Sequence, residues 1–273
     1  MLGAVLLFPL GYAIYLSLFN YDLGAGIEQF IGLGNYDALL HEARFWESLL
    51  RTVIIVAAAV GLEFCLGLMV AYGLYRLTFG VRTLNLLMFM PSVITPVVAA
   101  LFLRWIFMGR WGLLSGILIS FGIFPPDFLG DPNWARATVV LADSWQFTPF
   151  MILVLFAGLN TVDHSQIEAA QIDGAGPLKL LFRIMVPAIK PLILFVLAIR
   201  VMDAFRFFDQ IYVLTGGGPG TATETITIYT YALAFRLLQV GKASALGVLT
   251  LLIVAGAIAG LIATLYRRER GAF

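Results

Sequence analysis

Charge, cysteine and histidine are all scarce in this 273-residue sequence: 12% of residues are charged, two are histidine and one is cysteine. The lone Cys65 sits in an apolar run, which excludes an intramolecular disulfide and a thiolate metal cluster, and His41 and His164 lack metal-ligand spacing. A net charge of +1 gives neither a polybasic tail nor a nucleic-acid footprint. The phosphate-cradling pattern GxxxxGK[ST] is missing. The only Gly-Lys pair, Gly241-Lys242, is followed by Ala243 and lacks the upstream glycine, so ATP must act through another chain. Neither HExxH nor GxSxG occurs, which leaves an intramembrane enzyme without support. There is no internal repeat and no low-complexity tail.

Apolar residues are abundant instead. They make up 61% of the chain, against about 45–50% in soluble domains, so the sequence reads as an integral membrane protein. Spanning a bilayer takes about 20 residues at 1.5 Å each. Six windows qualify, near 2–19, 49–75, 84–108, 137–159, 191–214 and 243–266, the first being the weakest. Backbone amides in lipid must be satisfied within the segment, and no strands alternate strongly enough for a barrel. The expected fold is therefore an all-α membrane protein with six transmembrane helices in a single domain, 1–273. The N-terminal LGAVLLFPLGYAIYLSLF lacks a basic lead and a small-residue cleavage site, and is read as a retained span.

Counting Lys and Arg orients the bundle. With both termini in the cytoplasm, Arg76, Arg82, Lys179, Arg183, Lys190, Arg267, Arg268 and Arg270 fall inside. Arg44, Arg110, Arg136, Arg236 and Lys242 then lie in longer outer loops. Asn35 to Leu50 reads as an amphipathic run at the outer interface. Pro91 and Pro96 should kink span three, and Gly109 to Ala135 is too irregular to span.

The most polar, proline-punctuated interval is EAAQIDGAGPLKLLFRIMVPAIKP, from Glu168 to Pro191. It reads as a short helix, a break at Gly174 to Gly176, a second helix opened by Pro177 and a stop before Pro187. Glu168, Ala169, Ala170, Asp173, Gly174, Ala175, Phe182, Ile184, Pro187 and Pro191 together resemble the EAA loop of ABC-importer permeases. The family usually has Leu where Val186 stands. PLGYAIYLSLFNY, the GLGNY phrase at Gly32–Tyr36 and the GGP phrase ending at Pro219 resemble the carbohydrate-uptake group, first-permease type.

The resemblance implies a cytoplasmic coupling loop, 160–190, whose helix enters a groove on an ATPase subunit. Ala169 and Ala170 are small enough for close docking, Glu168 can pair with a basic group, and Gly174 permits a turn that other residues would strain. It further implies a second related permease, two ATP-binding-cassette subunits holding ATP and Mg, an extracytoplasmic sugar-binding protein, a small sugar substrate and a prokaryotic inner membrane. The chain itself would hold no cofactor or metal.

Several polar residues lie inside the spans. A charge at the bilayer centre costs about 2.5–3.5 kcal/mol on insertion scales, so such groups face partners or water. In span five Arg200, Asp203, Arg206 and Asp209 alternate in sign at i, i+3 spacing, forming a spiral on a continuous helix. They are either ion pairs or, with Phe207, Phe208, Gln210 and Tyr212, a path lining suited to sugar hydroxyls and ring faces. Glu63 in span two and Asp143, Trp145 and Gln146 in span four could each complete a buried hydrogen-bond network or touch substrate, packing being the favoured reading for Glu63. Ser92 and Thr95 are gate candidates, or bond their own helix backbone. The alternative to an ATP-driven importer is an ion-coupled secondary transporter using Glu63 and Asp203, although the inverted repeats common in such proteins are not evident.

Overall fold

The computed structural model describes residues 2–269. The chain starts with α1 (Leu2–Ser17), the hairpin β1 (Phe19–Asp22) and β2 (Ile27–Phe30), and α2 (Gly34–His41). The long α3 (Ala43–Tyr75) leads to α4 (Val81–Val93), α5 (Pro96–Phe107) and α6 (Leu113–Ser120). Then come α7 (Pro132–Leu159), α8 (His164–Ile172), α9 (Pro177–Leu180), α10 (Val186–Ala188) and α11 (Lys190–Phe205). α12 (Asp209–Leu214), α13 (Ile226–Tyr231) and α14 (Val240–Glu269) complete it.

Three helices, α3, α7 and α14, are each long and apolar enough to cross a membrane unbroken. Two further helix pairs are as apolar and long together but are bent at a short break. α4 and α5 meet at 92°, and the α9–α10 segment meets α11 at 75°. With the short α1, this is a six-helix arrangement.

Span three is thus broken rather than merely kinked. Thr95 is extended (ψ 141°) because its Pro96 neighbour disfavours the helical region, and Ile94 is extended with it (ψ 135°). The stop expected before Pro187 falls later, at Ile189. A wide turn over Leu181–Met185, in which Val186 N–H bonds Leu181 O, carries the chain through Pro187 despite its missing donor. Span five also breaks. α11 ends at Phe205, and Arg206 to Phe208 are not helical before α12 begins. The amphipathic run from Asn35 is two helices divided at the extended Glu42, so span two begins at Ala43.

Close approach holds the spans together. An added Cβ on Gly67 would lie 2.6 Å from Met151 Cγ, which shows how tightly α3 packs on α7. Two turns further along α7, Gly158 faces Leu192 of α11 in the same way. Leu68, Ala71 and Leu74 of α3, Met151, Leu155 and Leu159 of α7, and Ile193 and Val196 of α11 form one buried cluster.

The GLGNY phrase is an anchor. Asn35 Nδ2 donates to Ser17 O and Phe19 O, both at 2.8 Å, closing α1 onto β1, while the Tyr36 and Ser17 hydroxyls meet at 2.7 Å. The glycines after span five serve geometry too: Gly216 (φ 63°) and Gly217 (φ 95°) take left-handed turns. Beyond them Glu224 receives Arg44 at 2.6 and 3.1 Å, Arg51 Nε donates to Glu224 O at 3.3 Å, and Arg136 Nε to Ala222 O at 3.0 Å. This loop is strapped to the starts of α3 and α7. Lys242, opening α14, donates to Glu42 Oε2 at 2.5 Å.

Candidate functional site

The first site is the α8 turn. Asp163 caps the helix, accepting from Ser165 N at 2.9 Å, and this backbone donor holds the Asp163 carboxyl below its ordinary value. At the far end Gly174 N–H bonds Gln171 O at 3.0 Å and Ala175 N–H bonds Ala170 O at 2.9 Å. Those two bonds make a Schellman closure, with Gly174 at φ 75° in the left-handed position.

The helix is two-sided. Ile167 and Ala170 are buried in the α3–α7–α11 cluster together with Leu180, Leu181 and Met185. Tyr72 Oη donates to Pro177 O at 2.9 Å, tying α3 to the same turn. Glu168, Ala169, Asp173 and Gly174 are exposed and Ala175 is half-buried. Ala170 faces the protein's own core. Two apolar side chains that sequence reasoning passed over are exposed nearby, Ile172 at the end of α8 (87%) and Leu178 on α9 (70%).

The second site is polar and lies within the spans, and the structure divides its candidates. Arg200 is 1% exposed and forms no salt bridge with Asp203. Its Nε and Nη2 donate to Glu63 Oε2 (2.7 Å) and Oε1 (2.8 Å), and Nη2 also reaches Asp143 Oδ2 at 3.1 Å. The Phe147 ring covers the guanidinium, its centroid 4.1 Å from Cζ. Asp143 and Glu63 thus belong to a buried ion trio joining α3, α7 and α11. One of the carboxylates an ion-coupled transporter would use is held bidentately by Arg200.

A second buried group sits at the break in span three. Ser92 Oγ donates to Gln146 O at 2.7 Å, across to α7 and not back to its own helix. Gln146 Nε2 donates to Ile94 O at 2.7 Å, taking a carbonyl freed by the break, and Gln210 Nε2 donates to Gln146 Oε1. Gln146 and Gln210 are buried and tie α12, α7 and the α4–α5 joint together. Thr95 is exposed at the start of α5 and makes no capping bond. Trp145 stands apart, lining a 380 Å³ cavity with Leu66, Met88 and Pro91.

Asp203 on α11, Arg206 in the break, and Asp209 and Tyr212 on α12 are exposed, and Phe207 is half-buried. Among the described residues none of the three charged ones forms a salt bridge, so the expected neutralisation along a continuous helix does not occur. The helix break removes the geometry it required. Phe208 and Tyr212 stack at 5.2 Å and both meet Tyr231 at 5.1 Å, and Tyr231 meets Phe235 at 5.1 Å. A cleft of 350 Å³ beside them is lined by Phe208, Tyr231, Phe235, Thr227, Thr230 and Thr250. Sequence reasoning missed Tyr231 and Phe235, although their i, i+4 spacing in ITIYTYALAF placed both rings on one face.

Known proteins agree with this architecture. The trehalose transport system permease protein SugA of Mycobacterium tuberculosis is 38% identical over 90% of this chain and 78% of its own length. The sulfoquinovosyl glycerol transport system permease protein SmoG of Agrobacterium fabrum is 34% identical over 91% and 81%. A bacterial ABC transporter involved in import of the acidic polysaccharide alginate shares the fold at a TM-score of 0.80, with 20% identity, 93% of this chain and 88% of that one covered. Residues 63–270 match the family described as binding-protein-dependent transport system inner membrane component. On that match and those relatives, the chain belongs to the binding-protein-dependent inner-membrane permeases of ABC importers.

Proposed function

We propose that the chain forms half of the translocation path of an ATP-driven sugar importer and answers to an ATPase through the Glu168 helix. The observation that carries this is the two-sided α8, locked by Ile167 and Ala170 into the core shared by three spans while Glu168, Ala169, Ile172 and Asp173 face outward. A rigid-body push on such a helix reaches α3, α7 and α11 together. Two curated relatives transport trehalose and sulfoquinovosyl glycerol, which supports a carbohydrate as cargo.

The exposed Asp203, Arg206, Asp209 and Tyr212 and the aromatic group of Phe208, Tyr231 and Phe235 suit a sugar. Charged and hydroxyl groups pair with its hydroxyls, and rings stack on its apolar faces. A second related permease supplies the other half. Two ATPase subunits bind ATP and Mg, both termini lie in the cytoplasm, and a loaded sugar-binding protein docks on the opposite, strapped loops. ATP-driven closure of the ATPases moves α8 so that the path opens outward, and hydrolysis returns it inward.

The test is gentle purification of the tagged chain from its native membrane, followed by ATP hydrolysis in lipid with and without the co-encoded binding protein and candidate sugars. Co-purification of an ATPase and a second permease, with turnover raised by one loaded binding protein, is expected. A chain that purifies alone and moves solute down an ion gradient overturns the proposal.

A further inference from the structure

A cavity of 650 Å³ opens between the first turns of α4 and the last turns of α7. Arg82 and Asn85 supply its polar atoms, while Leu86, Phe89, Leu153 and Phe156 make its walls. It lies at the α8 end of the bundle, since Phe156 O accepts from Asn160 Nδ2 at 2.7 Å just before the Asp163 cap. Leu86 and Leu153 are exposed, and in the preceding turn Phe79 projects with 90% exposure beside the exposed Leu77.

Electrostatics separates the occupants. Among the described residues, Arg76, Arg82, Lys179, Arg183 and Lys190 form no salt bridge, and they outnumber the three exposed carboxylates of this end, Asp163, Glu168 and Asp173. A second permease obeying the same Lys/Arg rule would bring like charge against Arg82. An anionic headgroup brings the opposite charge, and basic pockets between spans are where such headgroups bind. We propose that this cavity holds an anionic phospholipid from the leaflet at the α8 end, its phosphate on Arg82 and Asn85 and its proximal acyl chain along Leu86, Phe89, Leu153 and Phe156. Such a lipid would sit against the last turns of α7, immediately before the helix that faces the ATPase.

The experiment uses the assembled transporter in nanodiscs, with photoactivatable phosphatidylglycerol and photoactivatable phosphatidylcholine of identical chains as probes. Labelled peptides are mapped in the parent, Arg82→Gln, Arg82→Lys and Asn85→Leu proteins, with assembled complex measured by gel filtration. Phosphatidylglycerol is expected to label residues 81–89 and 153–156 more than phosphatidylcholine does. That label should fall about fivefold in Arg82→Gln, the worth of one basic contact near the surface, and persist in Arg82→Lys. If Arg82→Gln fails to assemble, Asn85→Leu carries the same comparison without altering charge. Label indifferent to headgroup and to both substitutions overturns the proposal. Competition by excess inorganic phosphate also overturns it, in favour of a soluble anion, and cross-linking of these residues to the second permease makes the face a subunit interface.

Discussion

Replacing Arg200 by methionine tests the buried ion trio directly. The substitution keeps much of the side chain's volume but leaves Glu63 and Asp143, each 1% exposed or less, as two carboxylates without the guanidinium. Three hydrogen bonds of 2.7, 2.8 and 3.1 Å disappear with the charge. Breaking a buried pair by removing one partner costs about 3–5 kcal/mol, because the surviving charge is stranded. With about 2–4 °C per kcal/mol for a chain of this size, the melting temperature of the assembled complex should fall by on the order of 10 °C. Adding Glu63→Leu removes one stranded carboxylate, and the double variant should regain a substantial part of that loss. The assay is thermal unfolding of the purified complex followed by gel filtration, alongside sugar uptake in proteoliposomes. Unchanged melting and yield in Arg200→Met combined with lost uptake would refute the reasoning and place Arg200 on the sugar path.

Four further outcomes are expected. Gly174→Pro cannot adopt φ 75° and should uncouple ATP hydrolysis from the loaded binding protein; full sugar-stimulated turnover and uptake in that variant removes α8 from the coupling role. Tyr231→Ala deletes a ring that contacts Phe208, Tyr212 and Phe235. It should raise the half-saturating sugar concentration about two- to tenfold in uptake assays while leaving complex yield intact. Burial raises the Glu42 carboxyl, but hydrogen bonds from Lys242 and Tyr229 and the charges of Lys242 and Arg44 outweigh it and leave the group below its ordinary 4.5. Its stabilising effect is therefore present above about that pH and lost as pH falls through the lowered value. Because the pair is partly exposed, Glu42→Gln should cost less than about 1 kcal/mol at pH 7, with the melting difference closing in acid. Gly67→Val crowds Met151 and should destabilise by about 1–3 kcal/mol in the same melting assay.

Hydropathy made the spans legible, and the residue types around Glu168 and Gly174 announced a helix closed by a glycine. Thr95 was legible in part, since the residue before a proline leaves the helical region; the full 92° turn also needed Ile94, which no local signal marks. The ladder from Arg200 to Asp209 misled for a different reason. Spacing alone assumes an unbroken helix, and nothing between Phe205 and Phe208 is a glycine or proline. Arg200 finds Glu63 on another span, a partner 137 residues distant, and only packing shows that pairing. Ala170 shows the same limit, for a small residue on a helix can serve docking or burial.

The division of α8 into an inner and an outer face separates two kinds of constraint on its sequence. Substitutions at Ile167 or Ala170 must satisfy this protein's own interior, so they are judged by folding before any partner arrives. Glu168, Ala169, Ile172 and Asp173 carry no such obligation. Those four outward positions can be rewritten while the inward ones stay untouched, so a change in transport that follows reports on whatever meets this face and not on a damaged interior.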